Sequence, residues 1–289
     1  MAGTSVGAFN AAVLAQRPVN QTAAAVAELS HLWSTLSHPG LRQLPSRLRI
    51  MVSVLVFGAC SGSVLSRSWL DCLAGVVDWE AVASSDRLLL IGVTAFANGE
   101  AEYHSNGACA CGRRHTPDQL REYLVASMSV PALFPEVEID GREVVDGGLA
   151  DIVPRIFFGG SSGVDVICSE PAEPAPRWRL ATLNVHMRLY MATSSMASAL
   201  AQSNLEWLHR AYGGGGDDDE LCRGSRWGRG DIRVACATFD RRVKTNRLNV
   251  VRPRRLDVVS GLVGLSLSTC KKLYALGHYE TRPRDVLKI

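Results

Sequence analysis

The sequence has no long hydrophobic run, no strong excess of one charge, no cysteine framework and no internal repeat, and each absence removes a class of protein. Its longest apolar stretch worth testing, Ile50 to Cys60, is about half of the roughly 20 residues that a membrane-spanning helix requires. The first ten residues carry no basic segment ahead of an apolar run, and Gly3 and Gly7 interrupt them, so the chain does not open like a signal peptide. Thirty-one Lys and Arg against 28 Asp and Glu leave a net charge of +3, too little for the footprint of a dedicated nucleic-acid binder. Eight cysteines (Cys60, Cys72, Cys109, Cys111, Cys168, Cys222, Cys236 and Cys270) are scattered rather than framework-spaced. That distribution fits reduced thiols and a cytoplasmic location. What is present is ordinary globular composition: 289 residues, 47% hydrophobic and 20% charged, enough for one large α/β domain or two small ones.

Periodicity predicts helices over Val6–Gln16, ended by Pro18, and over Thr22–Leu36. The run Met51–Phe57 reads equally as buried strand or buried helix. Val64–Val82 is expected to be helical, Leu88–Ala95 a buried strand, and Ala101–His104 its partner across Asn98-Gly99. Pro117 opens a helix to about Ser127. Glu136–Val145 alternates around Asp140-Gly141, a strong hairpin signal. Strands are expected at Val164–Cys168, Ile232–Ala237 and Leu248–Val251, with helices over Leu180–Tyr212 and from Asp257 to about Leu276. The glycines and acidic residues around 213–231 read as a flexible loop. Alternating strands and helices predict an α/β fold on a mainly parallel sheet flanked by helices, taken as one domain over 1–289.

Gly3-Thr4-Ser5-Val6-Gly7 matches G-x-S-x-G, the sharp strand-to-helix turn that lifts a serine hydroxyl clear of a sheet. Small residues at Gly3 and Gly7 let the backbone cross itself, and the following helix starts with free N–H groups and positive dipole potential. The pentapeptide alone is also compatible with a plain turn. Asp146-Gly147-Gly148 follows the strand Arg142–Val145, where partial desolvation raises a carboxylate's pKa and makes it a better proton acceptor. Asp-Gly-Gly alone is ordinary turn chemistry.

Together these elements resemble the patatin-like phospholipase family, whose acyl hydrolases use a Ser-Asp dyad. The elbow continues as Ala8-Phe9-Asn10-Ala11, and Ala126-Ser127-Met128-Ser129-Val130-Pro131-Ala132-Leu133-Phe134-Pro135 is similar to the segment that precedes the family's aspartate. A hairpin then leads to Val145-Asp146-Gly147-Gly148-Leu149, closing on Pro154. The similarity spans Met1 to about Cys168, with 169–289 compatible but less specific. It implies a three-layer α/β fold and hydrolysis of lipid esters, with Ser5 as nucleophile, Asp146 as base and the Val6 N–H as an oxyanion donor. No cofactor and no metal are implied.

The family also carries a glycine-rich oxyanion loop well upstream of its elbow, whereas here two residues precede the pentapeptide. The resemblance therefore implies a chain truncated at its N-terminus, lacking that loop and the strand that feeds the serine. A start codon assigned too late is preferred over a fragment or a diverged non-enzyme. Ile152 stands where the family usually has asparagine, which puts the hydrogen bonding after Asp146 in question.

Other constellations carry less. Cys109 and Cys111 with His104 and His115 give four potential metal ligands off the usual zinc spacing, read as a surface hairpin with reduced thiols. Seven cations between Arg241 and Arg255 form a stripe able to touch an anionic membrane surface, although a solvated face is the preferred reading of such a charge run. The tryptophans are assigned to the core. Two rival functions remain: a Ser-His-Asp hydrolase completed by His186, His209 or His278, and a catalytically impaired chain that binds lipid or a partner.

Overall fold

The computed structural model describes residues 1–36, 67–108, 114–131, 134–155, 164–168, 196–197, 199–208 and 248–251. Strand β1 (Ala2–Thr4) runs through Ser5 into helix α1 (Val6–Ala15), followed by α2 (Thr22–Leu36). Two short helices, α3 (Ser68–Ala74) and α4 (Trp79–Ala83), precede β2 (Leu90–Ala95) and β3 (Ala101–Ser105). Helix α5 (Pro117–Ser127) leads to the hairpin of β4 (Val137–Ile139) and β5 (Arg142–Asp146). Strands β6 (Val164–Ile167) and β7 (Leu248–Val251) pair in parallel, and residues 199–208 are helical.

Several elements form for visible local reasons. Thr116 caps α5 through a reciprocal box with Gln119, and Pro117 sits where its missing N–H is harmless. Asp140 and Gly141 both hold positive φ, 53° and 72°, the requirement of a two-residue type I′ hairpin. The expected helix over Val64–Val82 is instead two helices in its described part. The chain leaves α3 at Gly75, and Asp78 restarts α4 by accepting the Ala81 N–H, so a strong cap overrides apolar periodicity.

The main sheet has the order β1-β2-β5-β4, with β3 also on β2. It is mixed rather than mainly parallel: β1 pairs with β2 in parallel, whereas the β2–β3, β2–β5 and β4–β5 ladders are antiparallel. The tight turns at Asn98-Gly99 and Asp140-Gly141 leave no room for crossovers, so each returns its strand antiparallel. A second correction concerns the strand that feeds Ser5. Ala2–Thr4 forms it, three residues long and in register with Leu90–Gly92.

Beta2 carries three partners on two edges. Along one edge β3 occupies Leu90 to Thr94; along the other, β1 faces Leu90–Gly92 and β5 faces Val93–Ala95. Thus β1 and β5 meet end to end. Helices pack on this sheet through buried Ala8, Phe9, Ala12 and Val13 of α1 and Leu120, Tyr123 and Leu124 of α5. The alanines of α1 let its backbone approach the sheet closely. Trp79 is buried, and Trp33 and Trp69 pack against this core, as the sequence suggested; Trp207 joins a smaller cluster of Val153, Val166, Cys168, Ala201, Leu205 and Leu208. Among the described residues no helix is long and apolar enough to cross a membrane. The loop around 213–231, the seven cations between Arg241 and Arg255 and the strand expected at Ile232–Ala237 lie outside the described residues.

Candidate active site

Because β1 and β5 share one edge of β2, the register brings their ends together. Thr4 faces Gly92 and Asp146 faces the next residue, Val93. Ser5 and Asp146, far apart in sequence, thereby become neighbours at the point where the two strands abut.

Ser5 sits at φ 52°, ψ −130°, a conformation that costs a non-glycine residue of order 1–3 kcal/mol and persists only where its surroundings over-determine it. Those surroundings are visible. The Ser5 N–H donates to Ser127 Oγ at 2.8 Å, and the Ser5 carbonyl accepts the Ala8 N–H at 2.9 Å. The Ser5 hydroxyl does not cap α1. Among the described residues the Val6 and Gly7 N–H groups have no acceptor, so the positive end of α1 opens beside the hydroxyl.

The two elbow glycines prove unequal. A Cβ on Gly3 would run into the backbone of Gly7 and Ala8, so only glycine fits there. A Cβ on Gly7 would meet nothing within 4 Å, which corrects the expectation that both positions are sterically restricted. The crossing is made by Gly3 against the Gly7 backbone, and the seventh side-chain position faces open space.

Asp146 is 5% exposed. Its N–H donates to the Ser129 carbonyl at 3.0 Å, its carbonyl accepts Thr94 Oγ1 at 2.9 Å, and its Oδ1 accepts the Gly148 N–H at 2.7 Å. Burial pushes its carboxyl up from 3.8 to about 6, against the opposing pull of hydrogen bonds from the Ser5 hydroxyl and the Gly148 N–H. Oδ2 is buried with no donor at full hydrogen-bond geometry among the described residues. Ser5 is the side chain that reaches this carboxyl, without closing a hydrogen bond of full geometry. Gly147 lets the turn pass close to the sheet, since a Cβ there would strike the Gly92 carbonyl.

The loop after Asp146, which contains Ile152, is held by its own set of polar contacts. The Ile152 carbonyl accepts Thr4 Oγ1 at 3.0 Å, tying this loop to the residue before Ser5. Asp151, 1% exposed, accepts from Tyr103 Oη at 2.8 Å, Arg155 Nε at 2.6 Å and Asn204 Nδ2 at 3.1 Å. Burial raises the Asp151 carboxyl, with the Arg155 charge opposing; burial, then the nearby Asp151 charge, raises the Tyr103 phenol. Asn204 Oδ1 also accepts the Val153 N–H, at 3.3 Å.

A family profile for patatin-like phospholipases matches residues 1–156, more than half of the 289-residue chain, and ends just past this loop. The chain belongs to the patatin-like phospholipase family. The family's members hydrolyse lipid substrates, and the fold is the α/β class that the sequence predicted. A search of curated proteins found no match.

Of the residues predicted from sequence, the patatin-like fold groups Ser5, Val6, Gly3, Asp146, Gly147 and Gly148 at one place, with Gly7 beside them. Among the described residues no histidine hydrogen-bonds to Ser5 or Asp146, and His186, His209 and His278 lie outside them. Of the four potential ligands noted between 104 and 115, two are described: His104 Nδ1 lies 3.4 Å from His115 Nε2, and the His104 ring stacks on Tyr123. Among the described residues no group of three or more His, Cys, Asp or Glu could hold a metal ion. Sequence reasoning did not foresee the parts played by Thr4, Ser127 and Asn204. Their only signal was a polar residue inside an apolar pattern, which does not reveal a partner.

Proposed function

We propose that this chain is a serine acyl hydrolase in which Ser5 is the nucleophile and Asp146 the base that acts on it directly. The observation that carries the reading is the meeting of the two side chains at one edge of β2, with Asp146 buried and its pKa drawn up to about 6. At neutral pH such a carboxylate is ionised yet basic enough to accept a proton, a balance suited to general base catalysis.

In the proposed reaction Asp146 takes the hydroxyl proton as Ser5 Oγ attacks the ester carbonyl. The oxyanion faces the Val6 N–H at the positive end of α1. Collapse expels the alcohol, which leaves with the proton held by Asp146, and an acyl-enzyme remains. Water then loses a proton to Asp146 while attacking the acyl carbon, and Ser5 departs with that proton as the acid is released. Val6 and Leu149 follow the two reacting residues and are 44% and 54% exposed, an apolar rim that suits an acyl chain.

Hydrolysis of a p-nitrophenyl ester and labelling by a fluorophosphonate test the reading. Ser5→Ala is expected to abolish both, and Asp146→Asn to lower turnover by at least about 10²-fold. For the unmodified chain kcat/KM should climb with pH through about 6 as Asp146 ionises. Full turnover by the Ser5→Ala chain would end the proposal.

A further inference from the structure

Ser5 and Asp146 come from different strands, and something must set the distance between them to within a fraction of an ångström for a proton to pass. Beta2 aligns the strands, but among the described residues no hydrogen bond from it reaches either side chain. The backbones of the two residues are instead gripped by one short segment at the end of α5. The Ser5 N–H donates to Ser127 Oγ at 2.8 Å, and the Asp146 N–H donates to the Ser129 carbonyl at 3.0 Å. We propose that residues 127–129 are a spacer that fixes the separation of the reacting pair, with Ser127 as its positioning residue. The inference rests on the Ser5–Asp146 reading above and adds what holds that pair in place.

Ser127 behaves unlike an ordinary serine at a helix end. Such a hydroxyl usually turns back onto its own helix, as Ser129 does by donating to the Val125 carbonyl at 2.8 Å. Ser127 reaches outward in both roles, accepting from Ser5 and donating to the Gly92 carbonyl at 2.6 Å. Gly92 is the β2 residue that faces Thr4 in the ladder, and the next residue, Val93, faces Asp146. One hydroxyl thus locks the elbow to the point of the sheet where the two strands abut.

The segment is rigid enough for the task. Ser127 is fully buried, and Met128 and Ser129 are 3% and 1% exposed. The Met128 N–H bonds to the Leu124 carbonyl at 3.2 Å, and the Ser129 N–H to the Ala126 carbonyl at 2.9 Å. The contact also falls on the residue with the strained backbone. The Ser127 bond is one of the contacts that hold φ at 52° in Ser5, so loss of that hydroxyl is expected to let the elbow turn and to carry Oγ away from Asp146.

The test compares Ser127→Ala, Ser127→Thr and Ser127→Cys with the unmodified chain, using a p-nitrophenyl ester and thermal unfolding. Ser127→Ala should lower kcat about tenfold or more with KM within about twofold, because the nucleophile moves while the substrate surface does not. Ser127→Thr, which restores a hydroxyl, should recover most of kcat. If the alanine chain fails to fold, Ser127→Cys, with a longer and weaker bond, should fold and show the same kcat loss at unchanged KM. A lower melting temperature with unchanged kcat, in either variant, overturns the spacer while a dead Ser5→Ala chain leaves the Ser-Asp reading standing. Turnover by Ser5→Ala overturns both.

Discussion

At the residue scale the most consequential group is the Asp146 carboxyl, whose burial suits the general base proposed above and comes at the expense of the fold. A pKa raised from 3.8 to about 6 means that the folded chain binds its proton more tightly than the unfolded chain does. Stability therefore falls as pH rises from about 4 to about 6, and the penalty, of order 3 kcal/mol, is complete above that window. Asp146→Asn removes the charge, so it is expected to raise the melting temperature at pH 7 while, on the proposed mechanism, slowing hydrolysis as stated above. The difference should vanish near pH 4, where both chains are neutral at this position; a pH series of thermal melts measures it. The elbow glycines give a sharper contrast. Gly3→Ala places a methyl against the Gly7 backbone and should prevent the native elbow, lowering unfolding free energy by several kcal/mol. Gly7→Ala meets open space inside a helix and should hold or gain about 1 kcal/mol. Denaturant unfolding of the two variants separates them.

At the scale of elements, helices and hairpins were legible wherever local chemistry decides. The match of α2 to Thr22–Leu36, the Pro117 start of α5 and the Asp140-Gly141 turn all follow from caps, proline geometry and positive φ. The Thr116 cap should contribute about 1 kcal/mol, so Thr116→Ala is expected to lower stability by that amount in denaturant titration while leaving kcat unchanged. What the sequence concealed was pairing between distant segments. Nothing in Ala2–Thr4 announces a strand, because its apolar partners belong to β2, and three residues carry no period. Strand direction was misjudged for a related reason: alternation of helices and strands suggests crossovers, but Asn98-Gly99 and Asp140-Gly141 build antiparallel neighbours instead. Ser5 and Asp146 were legible as candidates because their flanking glycines constrain backbone. Ser127 was not, because a buried serine reads in sequence like any polar residue near a helix end.

At the scale of the molecule, the region that carries Ser5 and Asp146 is tied to chain beyond the family match. Asn204, fully buried on the helix over 199–208, accepts the Val153 N–H and donates to Asp151, gripping the loop that follows Asp146. Asn204→Leu leaves the Val153 N–H without its acceptor and takes one of three donors from Asp151. A loss of about 1–3 kcal/mol in unfolding free energy is expected. Proteolysis should then cut the chain faster after Asp146, and equal protease resistance would show that the helix is dispensable to the loop. The backbone at Ser5 has a further outcome. A glycine accepts φ 52° without penalty, so Ser5→Gly should melt at a higher temperature than the native chain while losing the hydroxyl proposed to attack the ester. Laboratory evolution guided by heat resistance alone would therefore drift toward durable, inert variants, and turnover must be screened in every round.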